Sequence, residues 1–448
     1  MKNIDLARDA AVRIVYKVLR EGAYSNIAVK QELDESSMKR LDKALVTEIV
    51  NGTLRNLTRI DWVKSQFTKN SKIEPWIEDI IRCGIYQILF LDRVPDSAVC
   101  NESAELARKH SREGTVKFVN GVLRNISRNK EKLEYPDREK DAVKYLSVFY
   151  SHPEWMVKKW VKDYGVEFTG ELLKANNETP PFTIRCNRLK ISRSELIKIL
   201  TEENIECREG SYNPEAIYIR GTSSIEDKDS FKKGYYQVQD ESSMLVAHII
   251  DPKPGEIILD MCSAPGGKTT HIAELMGNEG EIVARDVHQH KLRLVEESCV
   301  RLGVNIVRTE LYNATDLDED SLEKFDKVLL DAPCSGLGVI RRKPDLRWKK
   351  EPDNFKELAK LQREMLEIAS KYVKYGGTLI YSTCTINKTE NIMVVKDFLS
   401  RNQQFRLESL IGRLPESLIC ESAEEGYLEL FPNTNGMDGF FIARIGKR

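Results

Sequence analysis

The chain has 448 residues, 69 Lys and Arg against 70 Asp and Glu for a formal net charge of −1, and 41% apolar residues. Its length suggests about three domains of roughly 150 residues and excludes a disulfide-held mini-protein, while its ordinary apolar and charged content excludes a disordered chain. No run approaches the roughly 18 uncharged apolar residues of a membrane span, and nine cysteines with no Cys-x-x-Cys pair fit a reducing cytoplasm rather than a disulfide framework or a zinc site.

The opening stretch MKNIDLARDAAVRIVYKVLR carries charges every few positions and reads as an amphipathic helix, not a secretory signal. Leu6, Ala10, Ile14, Val18 and Leu19 share one face of it. A second apolar face joins Ile77, Ile80, Ile81, Ile85, Ile88 and Leu89; Pro95 starts a further helix, and Gly114 to Asn129 makes another. Residues 1–140 thus read as an all-α bundle of six or seven helices, closed by the charged stretch 129–140. Two more helices, near 141–150 and 153–164, form a connector. From Pro180-Pro181 the short runs FTIRCN, IECREG and AIYIRG, with the helical SRSELIKILTEEN, describe a small α+β unit that ends near Asp240. Residues 241–448 then alternate strands and helices, which implies a parallel sheet in an α/β domain. Its strands are expected at 256–260, 281–286, 305–310, 327–331 and 378–382, with an antiparallel one at 439–445.

This division shows that the neutral total is a cancellation. Residues 1–140 hold 26 basic and 21 acidic side chains, residues 141–240 hold 15 and 16, and residues 241–448 hold 28 and 33. A mildly basic helical domain is compatible with nucleic acid, although solvated helix faces produce the same balance.

The strand EIILD runs into Met261-Cys262-Ser263-Ala264-Pro265-Gly266-Gly267-Lys268 and then a helix, the geometry of a ligand site at the carboxyl edge of a parallel sheet. The two glycines let an anionic group approach amides at the helix N-terminus. A nucleotide phosphate would need G-x-x-x-x-G-K-[ST], but Cys262 stands where the first glycine should be and Pro265 stiffens the loop. S-adenosylmethionine fits better, because Asp286 ends the next strand and can accept ribose hydroxyls.

The fourth strand ends in Asp331-Ala-Pro-Cys334-Ser-Gly and the fifth in Tyr381-Ser-Thr-Cys384-Thr, so two thiols reach the same edge. An isolated cysteine is more often a buried small hydrophobe, but two at neighbouring strand ends beside a methyl-donor turn point to C5 methylation of a pyrimidine. A thiolate that adds to C6 makes C5 nucleophilic. Asp331 can hydrogen-bond the N3/N4 edge of the base, or simply cap its turn. The residues alone leave open which thiol attacks. Between them, Ile340 to Lys350 holds six basic side chains, one acid and Trp348. It reads as a phosphate-contacting rim through Arg341, Arg342, Lys343 and Arg347, with Trp348 stacking on a base or anchoring the loop.

The Pro265-Gly266-Gly267-Lys268 turn, DAPCSG at 331–336 and STCT at 382–385 resemble the RNA cytosine-C5 methyltransferases of the Nol1/Nop2/Sun group. RKPDLRW after DAPCSGLGVIR, and helices similar to the antitermination factor NusB, narrow the likeness to bacterial members acting on 16S rRNA. The resemblance covers essentially the whole chain. It implies a NusB-like RNA-binding domain, a small RNA-binding α+β subdomain with Arg185 and Asn187 at an R-x-N signature, and a Rossmann-like catalytic domain. It implies Cys384 as nucleophile, Cys334 as the cysteine that aids product release, and S-adenosylmethionine held by Cys262 to Lys268, Asp286, Asp331 and the position after the third strand. There Asn313-Ala-Thr replaces the usual Asp-Ala-Arg, and Asn313 can still bond the adenine amino group. The expected partner is 16S rRNA, with neither DNA nor membrane, no metal, and a monomeric chain. An RNA-binding antitermination-like factor without catalysis and a P-loop-like NTPase are the alternatives.

Overall fold

The computed structural model describes residues 5–68, 72–221 and 225–448, which form two compact units. One comprises the chain up to Glu178 together with Ile340–Lys350; the other comprises Thr179–Val339 and Glu351–Arg448.

The first unit is helical. Seven helices span Leu6–Arg20, Ser25–Asp34, Arg40–Arg55, Leu57–Thr68, Pro75–Phe90, Asp96–His110 and Glu113–Asn129. Asp5 caps the first by accepting the Arg8 amide at 3.0 Å, and Pro75 opens the fifth, where its missing N–H costs nothing. Ala10, Ile14, Val18, Ile77, Ile80, Ile81, Ile85 and Ile88 are buried in one core, as their period predicts. Leu6 is not: it lies in the first helical turn, at 68% exposure. Helices Ala142–Phe149, Glu154–Tyr164 and Val166–Ala175 belong to the same unit rather than to a separate connector, and the last of them was not expected. No helix among the described residues is long and apolar enough to cross a membrane.

The second unit holds two sheets. Strands β1 (Phe182–Cys186), β2 (Glu206–Glu209), β3 (Ala216–Arg220) and β4 (Tyr236–Val238) form an antiparallel sheet in the order β2-β3-β1-β4. Helix Arg193–Glu202 packs on it, started by a capping box between Ser192 and Glu195. The larger sheet contains β5 (Ile257–Asp260), β6 (Glu281–Asp286), β7 (Val307–Leu311), β8 (Phe325–Asp331), β9 (Val373–Thr383), β10 (Phe405–Leu407), β11 (Tyr427–Leu430) and β12 (Phe440–Lys447). Its order is β10-β12-β9-β8-β5-β6-β7, with β11 also paired to β12. Strands β5 to β9 pair in parallel, and β12 runs antiparallel to β9, as expected. The inner parallel strands contain buried apolar runs such as Val328-Leu329-Leu330, whereas the edge strand β7 is only partly buried. The short strands β10 and β11 lie outside the predicted set.

Candidate active site

Parallel pairing leaves the carboxyl ends of β5 to β9 on one edge, and the strand order reverses between β5 and β8, the place where such sheets bind ligands. The turn after β5, Asp331 at the end of β8 and Cys384 just past β9 meet there. Asp286 ends β6, and Asn313 follows β7.

In the turn, Gly266 adopts φ +97°, which L side chains rarely take, and a Cβ on it would lie 3.1 Å from the Val295 backbone. Cys262, Ser263, Ala264, Pro265, Gly267 and Lys268 line a cleft of about 210 Å³ with Asp260, Asp331 and the segment Gln237–Asp240 at the end of β4. Two buried oxygens there, Asp260 Oδ1 and Ser263 Oγ, have no hydrogen-bond partner, a polar surface suited to a polar ligand. Asp286 Oδ1 accepts the His288 amide at 2.9 Å. Asn313 is exposed and its carboxamide bonds locally to Thr315 and Asp316. A larger cleft of about 700 Å³, lined by Ile257, Glu281, Arg308 and Phe325, contains no thiol; size alone does not locate the chemistry.

Burial, helped by the Asp331 charge, pushes the Asp260 carboxyl up to about 7, while Thr269 Oγ1 donates to its Oδ2 at 2.7 Å. The folded state therefore favours the protonated acid, and this stabilisation falls as pH rises from the ordinary carboxyl range through about 7. In urea melts, Asp260→Asn is expected to gain on the order of 2–3 kcal/mol relative to the wild type between pH 5 and pH 8. Parallel pH profiles of the two proteins would refute this.

The thiols are close: Cys334 Sγ lies 3.2 Å from Cys384 Sγ. The hydrogen bond to Cys384, then burial and the Cys384 and Glu390 charges, hold Cys334 well above the ordinary thiol range. Cys334 is thus held toward its protonated form, and either sulfur can be the donor in the contact between them. Lys268 interacts electrostatically with Cys384 and pairs with Asp331 Oδ2 at 2.6 Å. Burial would depress this ammonium, but the Asp331 charge and hydrogen bond, together with Cys384 and Asp260, outweigh it and hold Lys268 in its charged form. Asp331 Oδ1 accepts Ser382 Oγ at 2.7 Å. A carboxylate has further lone pairs, so Asp331 retains acceptor capacity toward a base.

Glu390, absent from the expected set, ties the two cysteine loops together. Fully buried, it accepts the Ser335 amide at 2.8 Å, Ser335 Oγ at 2.6 Å, Asn387 Nδ2 at 2.8 Å and Gln362 Nε2 at 3.2 Å. Ser335 Oγ also meets Thr385 Oγ1 at 2.8 Å, so the residues following Cys334 and Cys384 are bonded directly. Glu390→Gln turns one acceptor into a donor that faces donors. It is expected to lower kcat about 10–100-fold through misplacement of the thiols, with KM little changed; a kcat equal to wild type would refute the positioning role.

Four of the expected RNA contacts, Arg185, Asn187, Arg341 and Arg347, are buried in the packing. Arg185 is fully buried, with its guanidinium on Glu274, Thr270 Oγ1, Gln239 and the Gly267 carbonyl. It braces the start of helix Gly267–Leu275 from β1. Asn187 is buried too and donates to the Gly234 and Leu302 carbonyls. Both were read as substrate contacts because sequence shows their polarity and not their burial. The segment Ile340–Lys350 belongs to the helical unit. There Arg347 is fully buried on the carbonyls of Arg55, Ser151 and Asn176 and on Asn177 Oδ1, and Trp348 Nε1 donates to the Leu54 carbonyl at 2.7 Å. Trp348 is half-buried and this bond anchors its loop. Arg341 is buried, Arg342 is half-buried, and Lys343 is exposed.

Residues 247–446 match the family model described as 16S rRNA methyltransferase RsmB/F, residues 5–128 match the NusB family, and residues 152–226 match the RsmF/B-like ferredoxin-like domain. A Bacillus subtilis (strain 168) protein named "Probable ribosomal RNA small subunit methyltransferase B" is 40% identical over 98% of both chains. The crystal structure of PH0851 is 27% identical with a TM-score of 0.82 and covers all of both chains. That of NSun6 from Pyrococcus horikoshii with SFG is 27% identical with a TM-score of 0.58, over 65% of this chain and 97% of the other.

Proposed function

Because the chain belongs to the RsmB/F family of 16S rRNA methyltransferases and is an S-adenosylmethionine-dependent enzyme of small-subunit rRNA, we propose that the atom it methylates is C5 of a cytosine, with Cys384 as nucleophile. The observation that carries this reading is the pair of thiols 3.2 Å apart beside the ligand cleft. Cytosine C5 is not nucleophilic by itself; a thiolate on C6 makes it so.

S-adenosylmethionine supplies an electrophilic methyl group when bound, and the NSun6 structure holds its analogue SFG. In this chain the turn Cys262 to Lys268 and Asp286 would hold it, a fit supported by the unpartnered Asp260 and Ser263 oxygens. Asn313 would meet the adenine end. Lys268 keeps positive charge near Cys384 and favours its thiolate. Cys384 Sγ bonds to C6 of a cytosine drawn out of its stack, and the C5–C6 double bond shifts its electrons toward C5. Asp331 binds the N3/N4 edge and favours the protonated ring, which takes up the developing charge. After methyl transfer C5 gives up its proton to solvent water, the C5–C6 double bond re-forms and the Cys384 sulfur leaves as a thiolate. Cys334, the neighbouring protonated thiol, gives a proton to that sulfur as the bond breaks and regains one from solvent.

The test is incubation of the enzyme with methyl-labelled S-adenosylmethionine and unmodified 16S rRNA, followed by nucleoside analysis. The label is expected in 5-methylcytidine at one position; label at a ring or exocyclic nitrogen would sink the assignment. Cys334→Ala is expected to leave methylated RNA bound to Cys384, seen as a slow band on a denaturing gel.

A further inference from the structure

Glu215, just before β3, His248 in helix Glu241–Ile250 and His271 in helix Gly267–Leu275 converge although 33 and 23 residues of sequence separate them. Glu215 Oε1 lies 2.7 Å from His248 Nε2 and 2.7 Å from His271 Nε2. Only the first contact is aligned as a hydrogen bond, and the two rings stand at 83° with centroids 5.4 Å apart. They do not stack: each points a nitrogen at the same carboxylate. Glu215 and His271 side chains are 1% exposed, whereas His248 is 23% exposed and leaves one approach from solvent. Glu215 Oε2 and His271 Nδ1 are buried without a hydrogen-bond partner. A buried carboxylate that spends one oxygen on two imidazoles and leaves the other unused is poorly satisfied as a hydrogen-bonding group.

We propose that these three side chains form a zinc site, with His248 Nε2, His271 Nε2 and the Glu215 carboxylate as ligands. The three ligand atoms lie within 4.8 Å of one another. Two imidazoles and one carboxylate suit zinc at about 2.0–2.2 Å, whereas calcium and magnesium want oxygen ligands throughout. Three protein ligands leave a fourth position for water on the side where His248 is exposed. The ion would join the small antiparallel sheet, through Glu215, to the helix that begins at Gly267 in the ligand cleft. Its role is to fix that helix, and it takes no part in methyl transfer.

The full-length protein, freed of metal by a chelator, is titrated with zinc; bound metal is measured after gel filtration, and cobalt is used as a spectroscopic substitute. One tightly held zinc per chain is expected, with a raised thermal midpoint and visible cobalt bands of a four-coordinate site. His248→Ala, at a half-exposed position, and the near-isosteric Glu215→Gln should each weaken zinc binding at least about 100-fold and abolish the midpoint shift. No saturable binding, or binding that survives in both variants and so resides on the thiols, overturns the site and leaves a hydrogen-bonded Glu–His cluster.

Discussion

Replacement of Cys384 by alanine is expected to lower methyl transfer by roughly 10⁴-fold or more, because without a bond to C6 the cytosine C5 has no electron pair to offer. The loss should fall on kcat, with RNA and cofactor binding retained. Cys384 lies just beyond β9, half-buried, and its backbone carbonyl accepts the Gly338 amide at 3.0 Å. Its side chain can be trimmed without disturbing that contact. Cys384→Ser is the sharper comparison, since it keeps the shape and replaces a thiol by a hydroxyl, which has almost no anion near neutrality. Single-turnover assays with labelled cofactor would measure both. If Cys384→Ala retained wild-type turnover while Cys334→Ala lost it, the roles of the two thiols would be exchanged.

How the site could be read before the fold was known follows from where its parts lie along the chain. The turn Met261 to Lys268, Asp331 and Cys384 each follow an apolar strand immediately, and a parallel sheet brings every carboxyl end to one edge. Local order in the sequence therefore mapped onto proximity in space. Glu390 was hidden because its importance lies in four donors from three separate segments, Ser335, Gln362 and Asn387, which no pattern in one dimension joins. Arg185 and Arg347 were misread for the reverse reason. Each looks like a surface cation in sequence, yet both are fully buried, since a guanidinium with five donors can satisfy several main-chain carbonyls at once. The grouping of Ile340–Lys350 with the helices was equally illegible, because the contacts that place it come from Leu54, Ser151 and Asn176, far away along the chain.

Arg347→Ala is expected to destabilise the helical unit by about 3–5 kcal/mol. Burial, with Arg55 nearby, holds the Arg347 guanidinium well below the ordinary arginine range, and the same burial plus the Arg347 charge depresses His152. The contacts that compensate it are neutral acceptors: the Ser151 carbonyl at 3.0 Å, the Arg55 carbonyl at 3.1 Å, Asn177 Oδ1 at 3.0 Å and the Asn176 carbonyl at 3.3 Å. Removing the side chain strands these groups inside the unit and opens a cavity. Arg347→Lys restores charge but not the planar fork, so it should recover only part of the loss. Thermal denaturation of the three proteins measures the series. The RNA-rim role makes a different demand: a phosphate-contacting cation contributes about one unit to the slope of log affinity against log salt concentration. For Arg347→Lys that slope should match wild type, and for the exposed Lys343→Ala it should fall. A slope lowered by Arg347→Ala in protein that remains folded, with unchanged thermal stability, would return Arg347 to the RNA surface.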